Sequence, residues 1–228
     1  MIKHILAPLD GSKMSESALS VAAMLALKAG AKVTLLHVVE RRPPRNVHGD
    51  RHLQTSDEAQ AYLADLAAKA FPPGVTVEWH VHSPRTLNVP QSLAEHVEEF
   101  APDLIVMCAH GPSRVKDFLR GNIAQRMLRH AIAPLLLVRS TQALRPEFRE
   151  ILVPLDGTPE HEQGLPLAGE IASLCDSMLR LLTVSPTAVS LTGPQALAAE
   201  LLPRATEEVL DLRQEQAKEY LARQVESL

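Results

Sequence analysis

Asp10 ends an apolar run, Ile5-Leu6-Ala7-Pro8-Leu9, and is followed at once by Gly11-Ser12. A carboxylate and a small-residue turn at the end of a buried strand place charge and backbone N–H groups where a ligand can reach them. Further along, Cys108-x-x-Gly111 is followed by nine residues and then by Gly121-Asn122-Ile123, which opens a helical pattern. A glycine just ahead of a helix leaves backbone N–H groups and the positive end of the helix dipole open to an anion, which is phosphate-binding chemistry. The bland reading of the same residues is a helix simply capped by Asn122. Arg114, Lys116 and Arg120 lie in the nine-residue loop, where they could screen phosphate charge or just be solvated.

Other reactive types are sparser. His80 and His82 share one face of a strand at i, i+2, and a metal needs at least a third ligand that the local sequence does not supply. Cys108 could be a redox thiol, but no resolving cysteine stands near it. Asp10 and Asp156 look like a carboxylate pair, yet each belongs to its own repeat. No Ser/His/Asp or Cys/His nucleophile set emerges.

The elements that must position these residues alternate regularly. Apolar or β-branched runs predict strands over residues 4–9, 32–39, 75–82, 103–107 and 135–139. Helical spacing of apolar residues predicts helices over 15–29, 56–70, 90–100 and 122–131, the first closed by Gly30. Residues 41–49 and 108–120 read as loops. Alternating buried strands and helices, joined by right-handed crossovers, imply an α/β fold: a doubly wound, parallel, five-stranded Rossmann-like sheet. In such a sheet ligands sit at the carboxyl ends of the strands where strand order reverses. Pro8-Leu9-Asp10, then His37-Val38-Val39, then Met107-Cys108-Ala109-His110-Gly111, are the segments expected there.

The opening motif then returns. Ile5-Leu6-Ala7-Pro8-Leu9-Asp10-Gly11-Ser12 reappears as Ile151-Leu152-Val153-Pro154-Leu155-Asp156-Gly157-Thr158, an offset of 146 residues. Leu36 and Val38 recur at the same offset as Leu182 and Val184. The organisation implied is a complete domain over 1–140, a polar linker over 141–149, and an incomplete second copy over 150–228. That copy should contain strands over 150–155 and 178–184, helices over 160–174 and 206–225, and a loop over 185–203.

Composition excludes some classes. The chain has 228 residues, is 46% hydrophobic and 22% charged, and carries a net charge of −4. That balance offers no electrostatic support for binding nucleic acid or an anionic membrane. The two cysteines, Cys108 and Cys175, fall in different repeats and suggest a reducing compartment. With no apolar run near the length of a spanning helix and no signal-type leader, the expected location is cytoplasmic.

The strand-end Pro-Leu-Asp-Gly-Ser motif, its repeat, and the spacing from Cys108 to Asn122 closely resemble the universal stress protein family. Its fold is adenine-nucleotide-hydrolase-like, and its ATP-binding members carry Gly-x-x-Gly, nine residues, then Gly-Ser or Gly-Thr. The resemblance implies a stress-response regulatory module with an ATP site, with Mg²⁺, in the first domain. It places Asp10 at the nucleotide, Pro8 and Leu9 along the same strand end, the Val38 backbone at the adenine, and Met107 beside the ligand. Gly111 and Gly121 match motif glycines, and Ile123 follows them into the helix. Cys108 stands where the first motif glycine belongs, and Asn122 where the Ser or Thr belongs. An Asn side chain can donate to phosphate, whereas a thiol in place of glycine would crowd the loop. A module that keeps the fold and works by dimerisation alone therefore stays open beside the nucleotide reading. The resemblance further implies a homodimer through Leu135–Arg139, the last strand of the sheet. Hydrolases of the related adenine-nucleotide type show Ser-Gly-Gly-x-Asp-Ser after strand one; Asp10-Gly11-Ser12-Lys13 does not fit that pattern.

Overall fold

Strand β1 (His4–Pro8) and strand β2 (Lys32–Glu40) are buried almost throughout. Successive residues of a strand point to opposite faces, and both Ile5 and Leu6, like both Leu35 and Leu36, are fully buried. Both faces of the sheet centre are therefore covered, as parallel strands require. The computed structural model describes residues 1–86, 88–109, 127, 133–139 and 146–228. The chain divides into two units, Met1–Glu147 and Phe148–Leu228.

In the first unit β1 is followed by α1 (Lys13–Glu16), α2 (Leu19–Ala29), β2, a small antiparallel hairpin of β3 (Asn46–Val47) and β4 (Asp50–Arg51), and α3 (Ser56–Lys69). Then come β5 (Val77–Thr86), α4 (Val89–Phe100), β6 (Leu104–Ala109) and β7 (Leu135–Arg139). The five long strands form one sheet in the order β5-β2-β1-β6-β7, and each neighbouring pair is parallel. The chain thus winds outward from β1 to β5, then crosses back to lay β6 on the other side of β1. This is the doubly wound sheet expected from the sequence. On one face, Leu93 and Val97 of α4 pack with Leu6, Leu36, Val38, Ile105 and Met127.

Local chemistry explains where elements stop. Residues 15–29 read as one helix, but the structure breaks it after Glu16. The Ser17 hydroxyl donates to the Met14 carbonyl at 2.6 Å and its N–H bonds the same oxygen, so side chain and backbone compete for one acceptor. Within the expected loop over 41–49 lies the hairpin β3–β4, whose turn residues His48 and Gly49 both have positive φ, 49° and 91°. Two such residues are what the tightest hairpin turn needs.

In the second unit β8 (Glu150–Pro154) pairs parallel with β9 (Met178–Leu182). Glu150 sits opposite Met178 as His4 sits opposite Lys32, so the repeat preserves register as well as sequence. A 3₁₀ turn (Pro159–Gly164) leads into α5 (Leu165–Cys175). The loop expected over 185–203 contains a helix, α6 (Pro194–Leu201), before α7 (Pro203–Glu226). Gly193-Pro194 punctuates as a loop would, but here it starts a helix: Gly193 has φ 57° and Pro194 occupies the first turn. The second sheet has one bare face. Leu152, Leu182 and Val184 are 58%, 41% and 87% exposed, whereas their repeat counterparts Leu6, Leu36 and Val38 are buried.

That contrast gives a test. Leu36→Ala should cost about 2–5 kcal/mol, the range for emptying a packed aliphatic site. Leu182→Ala should cost about 0.5 kcal/mol or less, the range for exposed positions. Urea unfolding followed by the single tryptophan, Trp79 on β5, reports the first unit. Its midpoint should drop for Leu36→Ala and stay in place for Leu182→Ala.

Candidate functional site

Strand order reverses between β1 and β6, so the connections leaving these two strands diverge and a crevice opens at their carboxyl ends. The chain leaves β1 through a turn built by Asp10. Asp10 Oδ1 accepts from the Ser12 N–H at 2.9 Å and from the Ser12 hydroxyl at 2.6 Å. Ser12 Oγ in turn accepts from the Ser15 N–H, capping α1. Gly11 sits between them at φ 87°, where a side chain is strained. A Cβ there would also lie 2.9 Å from Leu53 Cγ. The second unit repeats the turn: Asp156 Oδ1 accepts from the Thr158 N–H at 2.9 Å, and Gly157 has φ 83°.

The hairpin β3–β4 is fastened to this turn. The Lys13 N–H donates to Asp50 Oδ2 at 2.8 Å, and His48 Nε2 lies 3.6 Å from Asp10 Oδ2. Beside them is a cavity of about 70 Å³ whose walls include Pro8, Leu9, Asp10, Val38, Met107 and Cys108. Six of the ten residues expected at a ligand are thus brought together. The other four, Gly111, Gly121, Asn122 and Ile123, lie outside the described residues, as do Arg114, Lys116 and Arg120. Seventy cubic ångströms is below the roughly 300–1,000 Å³ of whole-ligand pockets, so the described walls enclose room for only part of a small-molecule ligand.

A larger groove of about 720 Å³ lies in the second unit against α7. No residue of α6 or α7 is buried, and this groove is the open space between lightly packed helices. The smaller cavity has the chemistry: a carboxylate, a buried histidine and the strand ends.

Sequence reasoning placed His37 at the end of β2 without giving it a role, and it missed three polar members of the wall: Ser15, Glu40 and His52. His37 stands inside the apolar run of β2. It is 2% exposed, and its Nδ1 pairs with the Leu9 carbonyl at 2.8 Å. A carbonyl only accepts, so Nδ1 carries the proton. Burial pushes the imidazole below its ordinary value, against the opposing pull of the Leu9 hydrogen bond. His52, also buried, places Nδ1 on the Leu53 carbonyl at 2.7 Å and Nε2 3.3 Å from Glu40 Oε1.

Cys108 is buried, and burial pushes its thiol up. Its sulfur lies 3.3 Å from Ser17 Oγ, whose proton goes to the Met14 carbonyl. A raised, buried thiol is the inert kind, which argues against the redox reading. His80 and His82 do gain a third histidine: His82 Nδ1 lies 2.8 Å from His96 Nε2, and His96 Nδ1 lies 2.9 Å from Glu99 Oε2. These nitrogens face one another, and among the described residues no group of three His, Cys, Asp or Glu side chains is arranged to hold a metal ion.

Comparison with known proteins fits this geometry. The sequence profile described as "Universal stress protein family" matches residues 1–139, more than half of the chain. The chain belongs to the universal stress protein family. A universal stress protein of Staphylococcus haemolyticus is 27% identical over 164 residues, covering 69% of this chain and 94% of that one. A solved structure of a Pseudomonas aeruginosa universal stress protein aligns with TM-score 0.62 at 22% identity, over 96% of this chain and 70% of that one. One from Archaeoglobus fulgidus aligns with TM-score 0.59 at 18% identity, over 88% and 72%. At these identities the structural likeness speaks to the fold: an α/β sheet of the universal stress protein type.

Burial also sets a pH dependence for this universal stress protein. His4, His37, His80 and His82 all titrate below the ordinary 6.5, with desolvation the largest cause in each. Below pH 6.5 the unfolded chain takes up protons that the native chain refuses. Stability should be level above that value and fall as pH drops through the depressed native values. Thermal melts from about pH 8 to about pH 5 check this; a melting temperature that rises on acidification would contradict the assignment.

Proposed function

We propose that the first unit is a stress-response regulatory module that binds an adenine nucleotide, ATP with Mg²⁺, in the crevice beside β1. The observation that carries this reading is the convergence of Pro8, Leu9, Asp10, Val38, Met107 and Cys108 on one cavity at the strand-order reversal. Asp10 and the acceptor on buried His37, which has no partner among the described residues, suit the nucleoside portion of such a ligand. The phosphate-holding role falls to Gly111, Gly121 and Asn122. The nucleotide acts as a regulatory ligand rather than as the substrate of a dedicated enzyme; the inert setting of Cys108 supports this.

The module works in the cytoplasm as a homodimer joined through β7. In support, β7 ends the sheet order, and among the described residues no strand pairs with its outer edge. Leu135, Leu136 and Leu137 on it are only half-buried. An open apolar edge invites pairing with its own copy about a two-fold axis. No described helix is long and apolar enough to cross a membrane.

The small cavity favours a second reading, a module that has lost its ligand and acts by dimerisation alone. Titration calorimetry with ATP and Mg²⁺ separates the two. The first reading expects one site per chain, with Asp10→Ala weakening it and Cys108→Gly tightening it by removing a crowding side chain. No heat at millimolar ATP would favour the second. For the dimer, sedimentation equilibrium at micromolar concentration should give twice the chain mass, and Leu136→Lys should halve it.

A further inference from the structure

The wall of the small cavity contains one group whose needs are unmet. His37 Nε2 is fully buried and has no hydrogen-bond partner among the described residues. Its character is set from the other side of the ring. The Leu9 carbonyl at 2.8 Å fixes the proton on Nδ1, so in the neutral ring Nε2 is a lone-pair acceptor. Burial keeps the ring neutral by disfavouring the imidazolium. A buried polar group without a partner is costly and rare in native proteins.

None of the described cavity walls offers this acceptor a donor. His52, with its ring centroid 6.3 Å away, has both nitrogens engaged, on the Leu53 carbonyl and Glu40. The Ser15 hydroxyl donates to the Ser12 carbonyl at 2.8 Å. The Cys108 thiol faces the Ala109 carbonyl at 3.4 Å. Asp10 and Glu40, as carboxylates, only accept. The remaining lining side chains, Pro8, Leu9, Val38, Val89, Leu93 and Met107, are apolar. Among the described residues no group supplies that donor, and whatever fills the cavity is placed to bring one.

We infer that His37 Nε2 is a specificity-determining acceptor that takes a hydrogen bond from an N–H or O–H group of the bound ligand. This rests on the adenine-nucleotide reading of the crevice and adds a residue to it. Such a nucleotide carries two kinds of donor that suit the acceptor, the amino group of the base and the hydroxyls of the ribose. A site with a buried acceptor discriminates strongly against analogues that lack the matching donor, because the acceptor is then left unpaired.

Two substitutions separate binding from folding. His37→Asn puts an amide nitrogen near the place of Nδ1, keeps the donor to Leu9 and deletes the acceptor. His37→Gln carries an acceptor out to the ε position and gives up the bond to Leu9. Calorimetric titration with ATP should show affinity about tenfold weaker for His37→Asn, the worth of one hydrogen bond, and recovery in His37→Gln. Circular dichroism and thermal melts confirm that each variant is folded. Repeating the titration with purine riboside triphosphate, 2′-deoxy-ATP and 3′-deoxy-ATP identifies the donor: the analogue lacking it binds wild type and His37→Asn alike. Nitrogen-15 NMR of the histidine rings should show Nε2 unprotonated in the free protein and shifted on adding ATP. Equal ATP affinity in wild type and His37→Asn would overturn the inference while the nucleotide reading stood, with a water as the donor. A protonated Nε2 would overturn it equally. No ATP binding to wild type at all would bring down the nucleotide reading and this inference with it.

Discussion

The first unit depends on one constraint: β1 is flanked on both sides by parallel strands, and the chain departs from it in opposite senses. A parallel neighbour cannot be reached by a tight turn, so each connection must cross a face of the sheet. Crossing both faces buries β1 throughout and β2 from Val33 to Val39. The same divergence makes the carboxyl ends of β1 and β6 the place for a crevice. Polar atoms inadmissible in the sheet's middle accumulate there: the Leu9 carbonyl, the Asp10 carboxylate, His37 and His52. Architecture decides where the crevice lies, and side chains decide what it can hold.

The second unit shows what the constraint is worth by relaxing it. Its two strands keep the register of β1 and β2, and its turn keeps the aspartate and the positive-φ glycine. Yet Leu152, Leu182 and Val184 stand in solvent where Leu6, Leu36 and Val38 are packed. At roughly 25 cal/mol for each square ångström of apolar surface removed from water, those three positions stabilise the first unit and do little for the second. Asp156 differs in the same sense: exposed, it turns to His161 at 2.6 Å and lines no buried cavity. Local backbone chemistry is copied faithfully by sequence; burial belongs to the company an element keeps.

This distinction also governs what could be read from the residues alone. The strands were legible because Ile5-Leu6-Ala7 and Lys32–Glu40 are apolar enough for only one environment, and β7 was located residue for residue as Leu135–Arg139. The strand-end positions followed from the topology, which is why Pro8, Leu9, Asp10, Val38, Met107 and Cys108 meet. Hairpin β3–β4 was hidden in an Arg- and Pro-rich stretch, its only signal being His48-Gly49. Histidine is a less common left-handed residue than asparagine at such a turn. His52 was missed, and His37 left without a role, for a different reason. A histidine within or beside an apolar run has no local mark of function, since its meaning lies in what its ring nitrogens meet in the fold: Leu9, 28 residues from His37, and Glu40, 12 residues from His52. Helix α6 was lost because Gly-Pro marks both loops and helix starts.

Gly11 bears a double restriction that its repeat counterpart does not share. Its φ of 87° disfavours any side chain, and Leu53 occupies the space a Cβ would enter; at Gly157 the φ is 83° but nothing lies within 4 Å. The two positions therefore have different mutational neighbourhoods despite identical local geometry. Substitution at Gly157 meets only backbone strain and can be relieved locally. At Gly11 the effect of a substitution depends on the genotype at position 53: a smaller residue there removes the clash and leaves the strain. In this sense Gly11 and Leu53 form an epistatic pair, 42 residues apart in the chain, and variation at the β1 turn is channelled through the loop that covers it.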